Sequence, residues 1–434
     1  MRILIFYSLN LCPNNGCING PQIDSITLID SISRTIDPYR DYEDFKKLAS
    51  IPKLRFFVSN ATEAGIVFDP TCSFNDEPAA SFPGKLTQLL YHRFKAFNGD
   101  KSKGLIILPC ELIFHNGREL SNCIHQYIDA WNGSMNGDAN DFREWVDYAC
   151  YICSTLVDRI VPGFPKVGAD EINQRIGATD NLIVQGEPYH LWVIEVPQNI
   201  SIENISRELP TEKADLNVIF THDEGPYHLR KVTLLNGPHT VLAPVAYLAG
   251  LDIVRDACNH PVVGQFIRNT MFNELLPTLD MPYDELTAYA DSILERFCNP
   301  YVNHQLTSIM LNSFSKFKTR DLPALKKYYN VKGELPKGIV LGLASICVCY
   351  RGVSRADGEC FIPSDDEKVI QLLDSLWNDG DISRIAQGVL SAKDVIWHEE
   401  GDLTNISGLQ EMLSDDISMI ISDGMLSTIE RIIK

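Results

Sequence analysis

Apolar residues recur along this chain in two rhythms. Up to about residue 228, short apolar runs bounded by turn residues dominate, and these read as strands. Ile3 to Leu9 is a continuous run of the kind that suits an inner parallel strand. Further runs lie in Leu54–Gly65, Gly104–Gly117 and Gly186–Pro197, with a shorter one over Leu216–Phe220. Helical spacing interrupts them. Leu86, Leu89, Leu90 and Phe94 trace one face, leaving Lys85 and His92 to solvent, and Trp145 to Ile160 reads as another helix. From Leu229 onward nearly everything is helical. Leu286, Ala290, Ile293, Leu294 and Phe297 form a stripe opened by Asp284-Glu285 and stopped by Asn299-Pro300. The next helix carries His304, Asn312, Lys316 and Arg320, with Leu306, Ile309 and Phe317 on its apolar side. Leu341 to Tyr350 is a buried run, and the tail from Asp365 is acidic and helical. The change of pattern predicts an α/β plus all-α protein: a Rossmann-like domain over 1–228 and a mostly helical domain over 229–434.

Polar groups at the carboxyl ends of strands are where α/β sheets bind ligands. Two strands end that way, one in Ser59, Asn60, Thr62 and Glu63, the other in Pro109, Cys110 and Glu111 with Asn116-Gly117 following. Asn60 or Thr62 could equally cap a helix. In the helical part, Leu229–Gly250 sets Lys231, Asn236 and His239 among apolar residues, where unpaired burial would be costly. Pro238 fits only the first turn of a helix, so a new segment starts near it. His239 then lies in that first turn, Asn236 at the break and Lys231 on the segment before. Satisfaction within a helical core accounts for the three as well as chemistry does. Lys316 and Arg320 are four apart and share a face. An arginine can grip a carboxylate through two parallel hydrogen bonds, and a lysine adds charge; a solvated basic face is the plainer alternative.

Composition narrows the classes. The 434 residues are enough for two domains, and 45% apolar with 22% charged content is that of a globular protein. A formal charge of −19 argues against nucleic acid, whose phosphates need basic patches, and against an anionic membrane surface. No apolar run is long enough to span a bilayer, and the opening Met1–Asn10 lacks a small-residue cleavage site. The twelve cysteines form one C-x-x-C, Cys150 and Cys153, and one C-x-C, Cys347 and Cys349, with no zinc-site spacing. They read as small hydrophobes in a reducing compartment, so a cytoplasmic location and no metal are expected.

The motif K-x4-N-G-x-H-T, Lys231 to Thr240, followed by a small-residue apolar helix, resembles the signature of the mannitol dehydrogenase family of long-chain polyol dehydrogenases. The uronate branch is matched more closely by S-N-x-T-E-x-G from Ser59 to Gly65, E-P-x-x-x-W-V-I-E from Glu187 to Glu195, and the segment Asn299 to Arg320. The likeness runs from about residue 27 to 360. It implies a lysine general acid/base, Lys231, with Asn236 and His239 on the reacting oxygen. It places the cofactor NAD along Ser59, Asn60, Thr62, Glu63, Pro109, Cys110 and Glu111. The substrate, a small sugar acid, would meet Ser154, Asp158, Arg159, His304, Lys316 and Arg320. Polyol-specific members carry asparagine where this chain has Ser154, and serine is what the uronate branch shows. Asp158-Arg159 also reads as a polar pair anchoring a turn. The implied reaction interconverts D-tagaturonate and D-altronate without a metal. A fructuronate reductase or polyol dehydrogenase would use the same triad, and a catalytically silent homologue is the alternative outside the enzyme class.

One departure stands out. The family opens with a glycine-rich strand–loop–helix unit, whereas here the first strand runs into Cys12-Pro13-Asn14-Asn15-Gly16-Cys17 and no G-x-G-x-x-G occurs. The expectation is that this unit is missing, and with it the residues that choose NAD over NADP.

Overall fold

The computed structural model describes residues 2–9, 22–29, 31–61, 65–161, 164–165, 168–300, 303–352, 355 and 359–433. They form two compact units, Met1–His228 and Leu229–Lys434. Among the described residues no helix is long and apolar enough to cross a membrane.

The first unit is α/β. Its strands are β1 (Arg2–Leu9), β2 (Gln22–Ile29), β3 (Phe56–Ser59), β4 (Ile106–Pro109), β5 (Tyr151–Ile152), β6 (Ser154–Asp158), β7 (Val184–Gly186), β8 (Leu191–Glu195) and β9 (Val218–Thr221). They pair in the orders β2-β1-β7, β3-β4-β5 and β6-β8-β9. β3, β4 and β5 run parallel, with Phe57 opposite Ile107 and Ile107 opposite Ile152. Alternation along β4 separates two cores, because successive side chains leave a strand on opposite faces. Ile107 joins a core with Leu86 and Leu90, Ile124 and Tyr127, and Phe142 and Trp145. These come in pairs from the helices Phe82–Ala96, Asn116–Ala130 and Ala139–Ala149. Ile106 and Leu108 face the other way, onto Cys153, Ile194, Val196 and Ile205. Gly104, just ahead of β4, lets the last turn of the Ala139–Ala149 helix lie against it: a Cβ there would overlap the Ala149 carbonyl group. Neither backbone can yield, so Gly104→Ala is expected to cost about 3 kcal/mol, read as a fall in the urea midpoint. An unchanged midpoint would mean that the two segments are not in contact.

Three expectations need correction here. β1 is central in its sheet, but only β7 runs parallel to it; β2 pairs antiparallel, Arg2 opposite Ile29 through Leu9 opposite Gln22. The predicted Trp145–Ile160 helix ends at Ala149. From there Tyr151 and Cys153 donate their amides to Leu105 and Ile107 of the neighbouring strand, at 2.8 and 3.0 Å. Thr155 and Val157 are β-branched and suit the strand that follows. Lys85 and His92 are half-buried rather than solvated; Lys85 Nζ donates to the Ala80 carbonyl at 2.6 Å.

The second unit is helical. The Gly225–Lys231 helix leads into a π turn, Val232–Asn236, and then into Gly237–Leu248. Pro238 occupies the first turn of the latter, as its missing N–H and fixed φ require. Asn236 keeps helical angles, φ −77° and ψ −38°, so the chain passes this point without leaving the helical region. The apolar Lys337–Cys349 helix packs on Gly237–Leu248, where a Cβ at Gly342 would approach Val241 to 3.0 Å. The helix expected to carry His304 through Arg320 is instead two, Leu306–Ile309 and Ser313–Arg320. Asn312 between them has φ +53°, a left-handed conformation that asparagine tolerates better than most residues. His304 precedes both, and its carbonyl accepts from Val254 N–H at 3.0 Å.

Candidate active site

In the second unit the structure gathers Asn236, His239, His304, Lys316 and Arg320. The His239 ring is buried and stacked on Phe297, centroids 4.0 Å apart, and meets His304 edge-on at 5.2 Å. Thr240 donates its hydroxyl to the Asn236 carbonyl at 3.0 Å and accepts from Arg320 Nη1 at 3.2 Å. Lys316 Nζ donates to the Ile309 carbonyl at 2.7 Å. The last turn of the Ser313–Arg320 helix is therefore tied to the first turn of Gly237–Leu248. Lys316 and Arg320 are half-buried, which removes the solvated-face reading.

Crowding of positive groups sets the electrostatics. Burial, then His304, Arg320, Arg296 and Lys316, hold the His239 imidazole well below its ordinary pKa, so it is neutral at physiological pH. Burial and the Lys316 charge lower His304 as well. Lys316 is pushed down to about 8 by burial and by Arg320. In a chain of formal charge −19 this is a local cluster of cations and donors, and such a group is suited to an anion. Lys231 is half-buried at the end of its helix. Its neighbour Arg230 fixes that helix, donating to Glu285 at 2.6 Å with its guanidinium 4.3 Å from the Tyr289 ring centroid.

Asp321, next to Arg320, was not singled out by sequence. It is fully buried, both carboxyl oxygens lack a hydrogen-bond partner, and a Cβ on Gly237 would come within 2.8 Å of Oδ1. Burial raises its carboxyl well above the ordinary 3.8. A carboxyl with a raised folded pKa stabilises the fold only below its unfolded pKa, and the contribution is lost as pH rises through the folded value. Asp321→Asn should therefore gain stability relative to wild type above pH 4, by up to about 1.4 kcal/mol per pH unit. Urea unfolding at pH 5 and 7 reads the difference; a constant gap would refute it.

In the first unit, Ser59, Asn60, Pro109, Cys110 and Glu111 come together at the carboxyl ends of β3 and β4. Ser59 donates its hydroxyl to buried Glu111 at 3.0 Å, and the Ala61 amide donates to the other carboxylate oxygen at 2.9 Å. Asn60 is exposed, as are Leu112 and Phe114 just beyond Glu111. Burial pushes the Cys110 thiol up to about 11, so it stays neutral. Thr62 and Glu63 lie outside the described residues. Asn116 is the clamp beneath: its amide donates to Pro109, Glu111 and Thr155 carbonyls at 3.0, 2.9 and 2.8 Å, and its oxygen accepts from Thr155 N–H at 2.8 Å. Both its amide hydrogens and its oxygen are engaged in holding the end of β4 to β6. Ser154 is buried at the start of β6, opposite Glu195. Asp158 is buried at the other end of that strand, where Arg159 donates to the Glu187 carbonyl at 2.7 Å and Ile160 N–H to the Glu187 carboxylate at 2.6 Å. Arg159 thus anchors a turn.

The sequence reading also missed Glu224. Burial raises its carboxyl to about 7; Oε1 accepts the His115 amide at 3.2 Å and Oε2 has no partner. The left-handed φ of His115, +54°, is a signal that sequence does not carry.

Comparison with known proteins places these features in context. Residues 19–206 match the mannitol dehydrogenase Rossmann domain and 223–421 the mannitol dehydrogenase C-terminal domain. The chain belongs to the mannitol dehydrogenase family. Relatives in that family include proteins called altronate oxidoreductase. One from Bacteroides thetaiotaomicron is 54% identical over 98% of this chain and 86% of its own length. Another, from Bacillus subtilis, is 43% identical over 96% and 82%. Membership makes the chain an oxidoreductase acting on CH–OH groups. Among solved structures, a D-sorbitol dehydrogenase in substrate-free form aligns with a TM-score of 0.78 at 20% identity, covering 99% of this chain and 83% of its own. Pseudomonas fluorescens mannitol 2-dehydrogenase, solved as a ternary complex with NAD and D-mannitol, aligns at 0.68 and 19%, covering 99% and 82%. At these identities the likeness is one of fold: a Rossmann-like domain followed by a helical domain of the mannitol dehydrogenase type.

Proposed function

We propose that this mannitol dehydrogenase family member interconverts D-tagaturonate and D-altronate with NAD, using Lys231 as general acid/base and no metal. The observation that carries the substrate class is the pair of half-buried cations, Lys316 and Arg320, in the cluster with His239, His304 and Asn236. A neutral polyol does not call for two half-buried cations, whereas a sugar acid brings a carboxylate of the opposite charge. The relatives named altronate oxidoreductase support the same choice.

For NAD, the carboxyl ends of β3 and β4 offer the exposed Asn60 amide and the apolar side chains of Leu112 and Phe114, a setting that fits a polar-edged aromatic ring. The sequence has no G-x-G-x-x-G to cradle a pyrophosphate, so the fit is to the nicotinamide half. When bound, NADH supplies a hydride to the substrate's keto carbon. Lys231 gives a proton from Nζ to the oxygen that becomes alkoxide and takes it back in the reverse direction. Asn236 donates its amide N–H to that oxygen as charge develops. His239, neutral because it is buried among cations, holds the same oxygen or the adjacent hydroxyl without competing for the proton. Ser154, Asp158 and Arg159 belong to the first unit and stay assigned to the substrate by resemblance. Loss of NADH absorbance on adding D-tagaturonate, against D-fructuronate and D-fructose as controls, tests the reading. Preference for either control would replace it.

A further inference from the structure

The second unit contains a cavity that none of these residues lines. It has a volume of about 640 Å³ and lies between the Leu409–Asp423 helix, the Met425–Ile432 helix and the turn after Leu322–Lys332. Four carboxylates line it, Glu334, Glu411, Asp415 and Asp416, against two cations. One of these, Arg431, is already bound to Asp423 at 2.7 Å. The other, Lys337, is exposed. Asp416 is the distinctive member. It is 4% exposed, yet its Oδ2 has no hydrogen-bond partner. A buried carboxylate without a donor is unfavourable unless something positive meets it.

The rest of the lining narrows what that is. Tyr329, Met412 and Met419 give an aromatic face and two polarisable thioethers, surfaces suited to a methylene stem and a cationic head. A divalent metal needs several converging oxygens, and among the described residues no group of three or more His, Cys, Asp or Glu is arranged to hold one. We propose that this cavity binds an aliphatic organic cation, its ammonium group seated on Asp416 and its methylene stem along Tyr329, Met412 and Met419. The volume falls in the range of small-molecule sites.

The site carries its own pH signature. Burial, then Asp415, raises the Asp416 carboxyl to about 7. Asp415 and Glu411 line the cavity from the Asp416 helix, Glu334 from the neighbouring turn, Lys337 from the start of the Lys337–Cys349 helix and Arg431 from the last helix. Arg384 of the Ile382–Leu390 helix is turned instead to Asp379, at 3.0 Å. Binding needs the ionised carboxylate, so affinity rises from pH 6 to pH 8, by about tenfold if Asp416 alone titrates.

Spermidine titrated into the full chain by calorimetry at pH 8 tests this. One saturable site is expected, weakened about tenfold in Asp416→Asn, weaker at pH 6 than at pH 8, and resistant to magnesium chloride at matched ionic strength. Asp416→Asn is isosteric, and a Tm at or above that of the wild type, as expected on removing a buried carboxyl of raised pKa, confirms its fold. If it fails to fold, Glu411→Gln combined with Asp415→Asn on the rim decides, with a few-fold weakening expected. Equal binding by the variants, displacement by magnesium, or no saturable binding would overturn the proposal and leave only diffuse attraction to an acidic chain.

Discussion

Alanine at position 231 is expected to lower D-tagaturonate reduction by about a thousandfold, the scale of a lost general acid. The fold should not change. Lys231 ends its helix half-buried, and the helix is held by its neighbour, Arg230, through Glu285 and the Tyr289 ring. Truncation therefore removes the amine without releasing the element that carries it. The loss should fall on kcat, because the proton is needed only as the alkoxide forms. Partial recovery with added ethylamine would separate a missing acid from a displaced helix. Arginine at 231 should be as inactive as alanine, since a guanidinium does not give up its proton near neutral pH. Near-normal turnover in Lys231→Ala would end the lysine assignment.

The second large effect concerns the carboxylate pocket. Lys316 is held at about 8 by burial and by Arg320, so it loses its charge as pH rises from 7 to 9. The pocket then keeps fewer positive charges for an anionic substrate. The kcat/KM for D-tagaturonate should fall through that window, since this ratio reports the free enzyme. Lys316→Met should start about tenfold to a hundredfold lower at pH 7, the cost of a charge-assisted bond, and lack this limb of the profile. A neutral ketose should be indifferent to the variant. If Lys316→Met keeps both its KM and its pH profile for the sugar acid, the pocket does not hold the carboxylate.

Parts of this were legible in the sequence because they depend on local pattern. The apolar run ending in Ile106–Pro109 is buried on both faces, and such a strand advertises itself without alternation. Lys231, Asn236 and His239 could be picked out because polar residues in an apolar segment are conspicuous. Other parts were hidden by tertiary choices. Ala149 to Ser154 carries no Gly or Pro to mark a helix end, and the switch to strand there is imposed by amides joining β4. Asn312 breaks a well-spaced pattern through a single left-handed residue. Asp321 and Asp416 each sit in helical sequence where an acidic residue reads as solvated, and only packing shows them to be buried.

The π turn at Val232–Asn236 gives the motif spacing a geometric meaning. The Gly237 amide reaches back five residues to the Val232 carbonyl, where an ordinary helix would reach four. One residue is thus accommodated beyond the regular winding. Eight regular helical steps would leave His239 about 80° round the axis from Lys231, and absorbing one residue takes off about 100°, which brings the two to within roughly 20°. Regular α-helix over the same residues would turn His239 away from the side it now shares with Lys231. The number of residues between Lys231 and Asn236 thus acts as a phase correction.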